Sequence, residues 1–329
     1  MNVFERIRPR QEGRVADAAR SADLAEILHI ARAEMAGHLA RDRGRLLHRA
    51  AEIVLHPAAL SLAKHLVAFD HDLARFGSLR RASLAMLDRY GVRARLVDAS
   101  GGPHDLAARR AALPERGPLL VVSNHPGLYD ALALFTAVGR DDLAVIAAAR
   151  DLLFALPHVR KHLLSAPPDA RAGLALRVAA RHLGRGGALL HFPAGRIEPD
   201  PRLVPPGESA LHAFLPGLDA LVAMASRARP DLVVVPVIVS GVVSLRARAF
   251  ASALAGRAGL TDAFVPLLQL TLPGFDDVDV RVTMGPELDV ASLGEAPSAR
   301  LRLALERLAR AASHPPGAAP AEPLRWAPR

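Results

Sequence analysis

The chain contains no cysteine among its 329 residues, only two lysines (Lys64 and Lys161), and 4% aromatic residues. The absence of thiols excludes disulfide scaffolds, Cys-ligated zinc, iron–sulfur centres and any thiol nucleophile, and leaves only a His/carboxylate metal site open. Scarce aromatics and the absence of a recognised binding motif argue against nucleic acid as a partner, although 42 basic against 33 acidic residues give a net charge of +9. Long apolar runs are also missing. The longest, residues 232–245 (LVVVPVIVSGVVSL), is shorter than a bilayer requires and is interrupted by Pro236 and Gly241. The opening residues MNVFERIRPRQEGR have no apolar core of a secretory signal, so a cytoplasmic location is expected.

What is present is enough to build a core: 51% of the residues are hydrophobic. No repeat of fixed period occurs, and the one biased tract is the Ala/Pro-rich tail at 313–329. Residues 1–90 carry helical periodicity, for instance Leu24, Ile27, Leu28, Ala31 and Met35 at i, i+3, i+4, i+7 and i+11. Beyond Gly91 the texture changes to short apolar runs at 92–97, 118–123, 143–149, 187–192, 232–240 and 278–284. These are separated by helical patterns at 130–138, 170–183 and 210–227. Continuous apolar strands alternating with helices predict an α/β fold with a mixed, mostly parallel sheet flanked by helices, preceded by the N-terminal all-helical region. In such sheets ligands bind outside the carboxyl ends of the strands. The expected division is therefore 1–90 helical, 91–312 catalytic and 313–329 tail.

Two of those carboxyl ends carry candidate chemistry. After the run LLVV comes Ser123-Asn124-His125-Pro126-Gly127-Leu128-Tyr129-Asp130, which contains an H-x4-D pair. The pair alone is weak, since His65 and Asp70 form another inside a helical pattern, where a five-residue separation turns the side chains about 140° apart. His125 instead leaves a strand and enters a Pro/Gly turn that can bring Asp130 back to the imidazole. A histidine held by a carboxylate is a general base, and Ser123 lacks a nucleophile-elbow setting, so the nucleophile would be a substrate hydroxyl. The bland alternative is that Asn124 and His125 cap the next helix and Asp130 offsets its dipole. The second block, His191-Phe192-Pro193-Ala194-Gly195-Arg196-Ile197-Glu198, offers close backbone approach at Gly195 and a guanidinium for an anion at Arg196, or else an ordinary turn with a solvated arginine. A third, VVPVIVSG at 234–241, reads mainly as a core strand with Pro236 at a bulge or edge.

In this order N-H-P-G-L-Y-D, F-P-A-G-R and V-P-V-x-x-S-G resemble the lysophospholipid acyltransferases, the glycerolipid acyltransferases of the 1-acylglycerol-3-phosphate acyltransferase type. The resemblance runs from about Tyr90 to Ala312. It implies direct transfer of a fatty acyl group from a thioester, acyl-CoA or acyl carrier protein, to a hydroxyl of a lyso-lipid, with His125 as base and Asp130 orienting it. Asn124, Phe192, Pro193, Gly195 and Arg196 would bind or shape the acceptor site, and Pro236 would serve donor binding or packing. No metal or redox cofactor is implied. Two positions depart from the family pattern. Ala194 stands where a glutamate is usual and Arg196 sits one place early, as in branches similar to the ornithine-lipid acyltransferases, so a lyso-amino-lipid acceptor is as compatible as lysophosphatidic acid. The phosphate-contacting arginine of an intermediate block is matched only by Arg171, with Arg150, Arg160 and Lys161 as substitutes. An esterase or thioesterase, or a silent lipid- or carrier-binding protein, are the competing readings.

A lipid product must exchange with a bilayer, so peripheral attachment to the inner face of the cytoplasmic membrane is expected, through an apolar groove or a basic amphipathic surface in the first hundred residues. Arg41, Arg43, Arg45, Arg49, Arg80 and Arg81 are candidate headgroup contacts, with solubility and helix ion pairs as the alternative role.

Overall fold

The computed structural model describes residues 21–40, 49, 51–98, 113–147, 150–165, 173–255, 258–272, 274–275 and 278–313. Arg41, Arg43, Arg45, Arg171 and residues 314–329 of the tail lie outside the described residues. Two compact units divide the chain, one of residues 1–77 with 149–162, the other of 78–148 with 163–329.

The first unit is helical. Helices α1 (Leu24–Ala40) and α2 (His56–Phe76) pack together. Their small and apolar faces, Ile27, Ala31, Ala59 and Ala63, enclose a core with Leu152 and Leu156 from the short helix α5 (Asp151–Phe154) and the turn after it. Asp70 is fully buried in α2 because its carboxylate accepts the backbone N–H groups of His158 and Val159 at 2.8 and 2.9 Å. Its sequence partner His65 bonds instead to the Ser61 carbonyl at 2.7 Å, one turn back on the helix. The two side chains serve separate structural bonds, as their angular separation around the helix requires.

The second unit is built on one sheet: β1 (Arg93–Asp98), β2 (Leu119–Ser123), β3 (Ala144–Ile146), β4 (Leu163–Leu164), β5 (Ala188–His191), β6 (Val233–Ser240), β7 (Asp279–Met284) and β8 (Leu288–Asp289). The strand order is β1-β7-β6-β2-β5-β3-β4, with β8 also pairing β6. Pairs β6/β7 and β6/β8 are antiparallel and the others parallel, the mixed and mostly parallel sheet that the apolar runs predict. Helices α3 (Leu79–Arg89) and α4 (Asp130–Val138) pack on each other and on the β1, β6 and β7 region. Helices α6 (Leu174–Gly184), α7 (Leu218–Ala228) and α11 (Pro297–Ser313) share a core with Leu120, Val122, Leu189, Val234 and Ile238. A hairpin of α8 (Leu245–Ala255) and α9 (Ala258–Thr271) follows β6, and the single turn α10 (Val290–Leu293) follows β8.

Three expectations shift. The division falls at Gly77–Ser78 rather than at residue 90, because α3 buries Leu79, Ala82, Met86 and Leu87 with the sheet unit. Residues 149–162, which lie between β3 and β4 in sequence, belong to the helical unit together with Arg150, Arg160 and Lys161. The helix expected from residue 210 begins only at Leu218: Pro216 and Gly217 (φ 125°) break the pattern, and 211–217 is a loop.

Pro236 sits in a central strand without an unmet donor. Its carbonyl accepts Gly285 N–H at 2.8 Å, and a residue's N–H and C=O point to the same edge of a strand. Its missing N–H therefore faces the break between β7 and β8, where no ladder bond is required. Pro236 thus acts in packing, against Gly285, whose position leaves no room for a side chain.

Candidate functional site

The chain leaving β2 crosses towards β3 and the chain leaving β6 returns to β7, so the connections diverge at the carboxyl ends of two adjacent strands. That divergence opens a crevice, and residues 124–130 occupy it. Asn124 is the first residue past β2, 1% exposed. Its Oδ1 accepts Val239 N–H at 2.8 Å and its Nδ2 donates to the Val239 carbonyl at 2.9 Å. These two bonds make Asn124 a clamp that fixes the end of β2 to β6 and so shapes the start of the turn that carries His125.

His125 Nδ1 lies 2.7 Å from Asp130 Oδ2. The carboxylate is 2% exposed and the imidazole 33% exposed, so the imidazole reaches solvent while its partner does not. Asp130 opens α4, where the helix N-terminus favours negative charge, and its Oδ2 also accepts Gly127 N–H at 2.8 Å. Gly127 has φ 123°, a conformation that glycine adopts without the penalty a Cβ brings, and this turn is what folds Asp130 back over five residues. With Nδ1–H directed to the carboxylate, the tautomer that places the proton-accepting lone pair on Nε2 is set.

The second block converges on the same histidine. Phe192 stacks on the His125 ring, centroids 4.6 Å apart and planes inclined by 25°, which restricts rotation of the imidazole. Pro193 is buried and its carbonyl accepts Leu215 N–H at 2.8 Å. Gly195 (φ 62°) turns the chain beneath Leu215. Arg196 is exposed and its charge, second to partial burial, holds His212 below its ordinary pKa, which places the guanidinium beside the 211–217 loop. Ala194 is 4% exposed and packed.

Glu198 and Asp200 are not singled out by the motif blocks, yet both support the site. Glu198 is 3% exposed; its Oε2 accepts His125 N–H at 3.1 Å and its Oε1 accepts His212 N–H at 2.8 Å, while its own N–H donates to the His125 carbonyl at 2.8 Å. Burial raises its pKa, and the two backbone donors oppose that rise. Asp200, also 3% exposed, accepts the N–H groups of Arg202 and Gly241 on Oδ1 and of Val242 and Val243 on Oδ2, at 2.8 to 3.2 Å. The loop after β5 is thereby bound to both the base and the end of β6. The signal in the chain is an acid pair, E-P-D, directly after a strand-end Pro/Gly turn. His191, the last residue of β5, has an Nδ1 that is sealed from solvent with no partner among the described residues, and burial lowers its pKa to about 4.

The arrangement can take a proton from a hydroxyl at an oriented imidazole, and the turn whose Phe192 stacks on that imidazole also carries the exposed Arg196. Among the described residues no group of three or more His, Asp and Glu is placed to hold a metal ion, and no helix is long and apolar enough to cross a membrane.

The family model described as acyltransferase matches residues 108–240, which include both blocks and β6. Among solved structures, the crystal structure of the 1-acyl-sn-glycerophosphate (LPA) acyltransferase PlsC from Thermotoga maritima is similar at 15% sequence identity with a TM-score of 0.40, over 91% of this chain and 96% of that chain. No curated protein matches the chain.

Proposed function

We propose, from the match of residues 108–240 to the acyltransferase family model, that the protein moves a fatty acyl group from a thioester donor to the hydroxyl of a lyso-lipid. The observation that carries the reading is the 2.7 Å contact between His125 Nδ1 and the buried Asp130 carboxylate. In the step, Nε2 takes the acceptor hydroxyl proton as the oxygen attacks the thioester carbonyl. The tetrahedral intermediate then expels the thiolate, which receives that proton from the imidazolium. Asp130 stabilises the imidazolium formed in between. No acyl-enzyme is needed: the chain has no cysteine, and Ser123, two residues before the base, is fully buried and directed to Asn124.

Arg196 supports an acceptor with an anionic head, a lysophospholipid or a lyso-amino-lipid, through charge-assisted hydrogen bonds. The donor is acyl-CoA or acyl carrier protein. Such substrates place the enzyme peripherally on the inner face of the cytoplasmic membrane.

The test is acceptor-dependent release of free thiol from long-chain acyl-CoA and from acylated carrier protein, with wild type and His125→Ala, over a panel of lyso-lipids. Release that requires both an acceptor and His125 supports transfer and identifies the acceptor. His125-dependent release without acceptor replaces the reading with hydrolysis, and binding without release replaces it with a carrier or sensor role.

A further inference from the structure

Nine large apolar side chains are exposed among the described residues, and five of them, Ile197, Leu215, Leu245, Phe250 and Leu272, belong to the segments that leave the carboxyl ends of β5 and β6. The hairpin α8–α9 begins at the end of β6 and returns to the start of antiparallel β7, so both its ends lie at that same edge. Two contacts tie these segments together: Asp200 of the β5 loop holds the backbone of Gly241, Val242 and Val243, and Gln269 of α9 donates to the Val242 carbonyl at 3.1 Å.

Helix α8 buries Ala247 and Ala251 on one side, yet its exposed positions include Leu245, Ala249, Phe250 and Ala253, interrupted only by Arg246 and Ser252. On that outer side Phe250 packs against Phe275, ring centroids 5.7 Å apart, yet stays 45% exposed, and Leu245, Ala249 and Ala253 beside it are exposed as well, so the helix carries apolar surface on both sides. The exposed charge around it is mainly positive: in 192–217, 241–253 and 265–275 the acids are Glu198 and Asp200, both 3% exposed, and the exposed Glu208, whereas Arg196, Arg202 and Arg246 are all exposed, and the side chain of Asp262 in α9 lies outside the described residues.

We propose that the 196–202 and 212–215 loops together with the α8–α9 hairpin form a surface that seats on an anionic bilayer, beside the opening to His125. Apolar side chains enter the boundary between headgroups and acyl chains, and the arginines meet lipid phosphates. A second copy of the chain fits less well, since it would set like-charged arginines against one another. The proposal rests on the lipid-acceptor reading and adds where the lipid arrives: laterally from the membrane rather than through water.

The experiment is co-sedimentation of the full chain with phosphatidylcholine vesicles, with and without phosphatidylglycerol. Leu245→Gln/Arg246→Glu and, independently, Leu272→Gln are compared with Ile53→Ser/Val54→Ser in the helical unit. The expected result is about ten-fold weaker partition to anionic vesicles for the double variant, as loss of one basic and one apolar contact implies. A smaller loss is expected for Leu272→Gln, with unchanged melting temperature and unchanged partition for the Ile53/Val54 control. Thiol release on a short-chain, water-soluble acceptor should stay at the wild-type level while release on vesicle-embedded acceptor falls. Wild-type partition in both hairpin variants, loss of partition in the Ile53/Val54 variant alone, or a wild-type dimer that the hairpin variants dissociate would each overturn the proposal. If no acceptor supports thiol release but the hairpin variants still lose the vesicles, the reaction reading fails and the surface stands.

Discussion

Glu198 and His125 exchange two hydrogen bonds, His125 N–H to the Glu198 carboxylate Oε2 at 3.1 Å and Glu198 N–H to the His125 carbonyl at 2.8 Å, across 73 positions of sequence. Because the second carboxylate oxygen accepts His212 N–H, one buried side chain sets the base and the neighbouring loop in register.

Glu198→Gln keeps the shape but turns one acceptor into a donor facing a backbone N–H. The loss of one charge-assisted bond predicts kcat for acyl transfer reduced about ten-fold or more, with KM for the acceptor changed less. Steady-state kinetics separate the two parameters. A lowered melting temperature with kcat untouched would reduce Glu198 to a structural clamp.

For the dyad, His125→Ala is expected to lower acyl transfer by about 10²- to 10⁴-fold, the usual contribution of a general base. Asp130→Asn presents an amide N–H to Nδ1 and so favours the tautomer with the proton on Nε2, giving a loss of about the same order. Thiol release measured with acceptor checks both. Near-wild-type activity of Asp130→Asn would remove the carboxylate from the mechanism.

Gly195 and Gly241 both have positive φ, 62° and 75°, but a Cβ at each meets a different obstacle. At Gly195 it meets the Leu215 side-chain tip, which is 58% exposed and able to rotate away. At Gly241 it meets the Asp279 carbonyl of β7, which is backbone and fixed by the sheet. Gly195→Ala should cost roughly 1–2 kcal/mol, the left-handed penalty alone. Gly241→Ala should cost about 3 kcal/mol or more, or prevent folding. Urea denaturation of the two variants tests the ranking.

His191 predicts a pH dependence of stability. Its folded pKa, about 4, lies below the unfolded value of 6.5, so the unfolded chain binds a proton first as pH falls. Its contribution is full above pH 6.5 and declines between 6.5 and 4, by at most about 3 kcal/mol. The residue as a whole is only half-buried, which reduces the figure. Removing this titration with His191→Phe should flatten the melting-temperature profile across that window, and an unchanged slope would show that other groups carry it.

The central strands and the two strand-end turns were legible in the chain, because buried parallel strands are continuous apolar runs and Pro/Gly turns have their own chemistry. His125 and Asp130 could be paired on paper since only five residues and a glycine turn separate them. The false helix start at 210 has a physical cause too: Ala210 and Leu211 are apolar because they close the core shared by α6, α7, α11 and the sheet, and apolar spacing cannot tell a helix face from a loop packed on the core.

Local pattern therefore determined most of the elements and the turn that folds Asp130 back to His125, and the absence of cysteine excluded a thiol nucleophile. Only the tertiary structure decided that Asn124 clamps β6, that Glu198 holds His125, and that Pro236 meets a gap between β7 and β8. A buried polar group finds its partner among whichever strands become neighbours, and the order β6-β2-β5 brings together residues up to 115 positions apart whose pairing leaves no periodic trace in the chain.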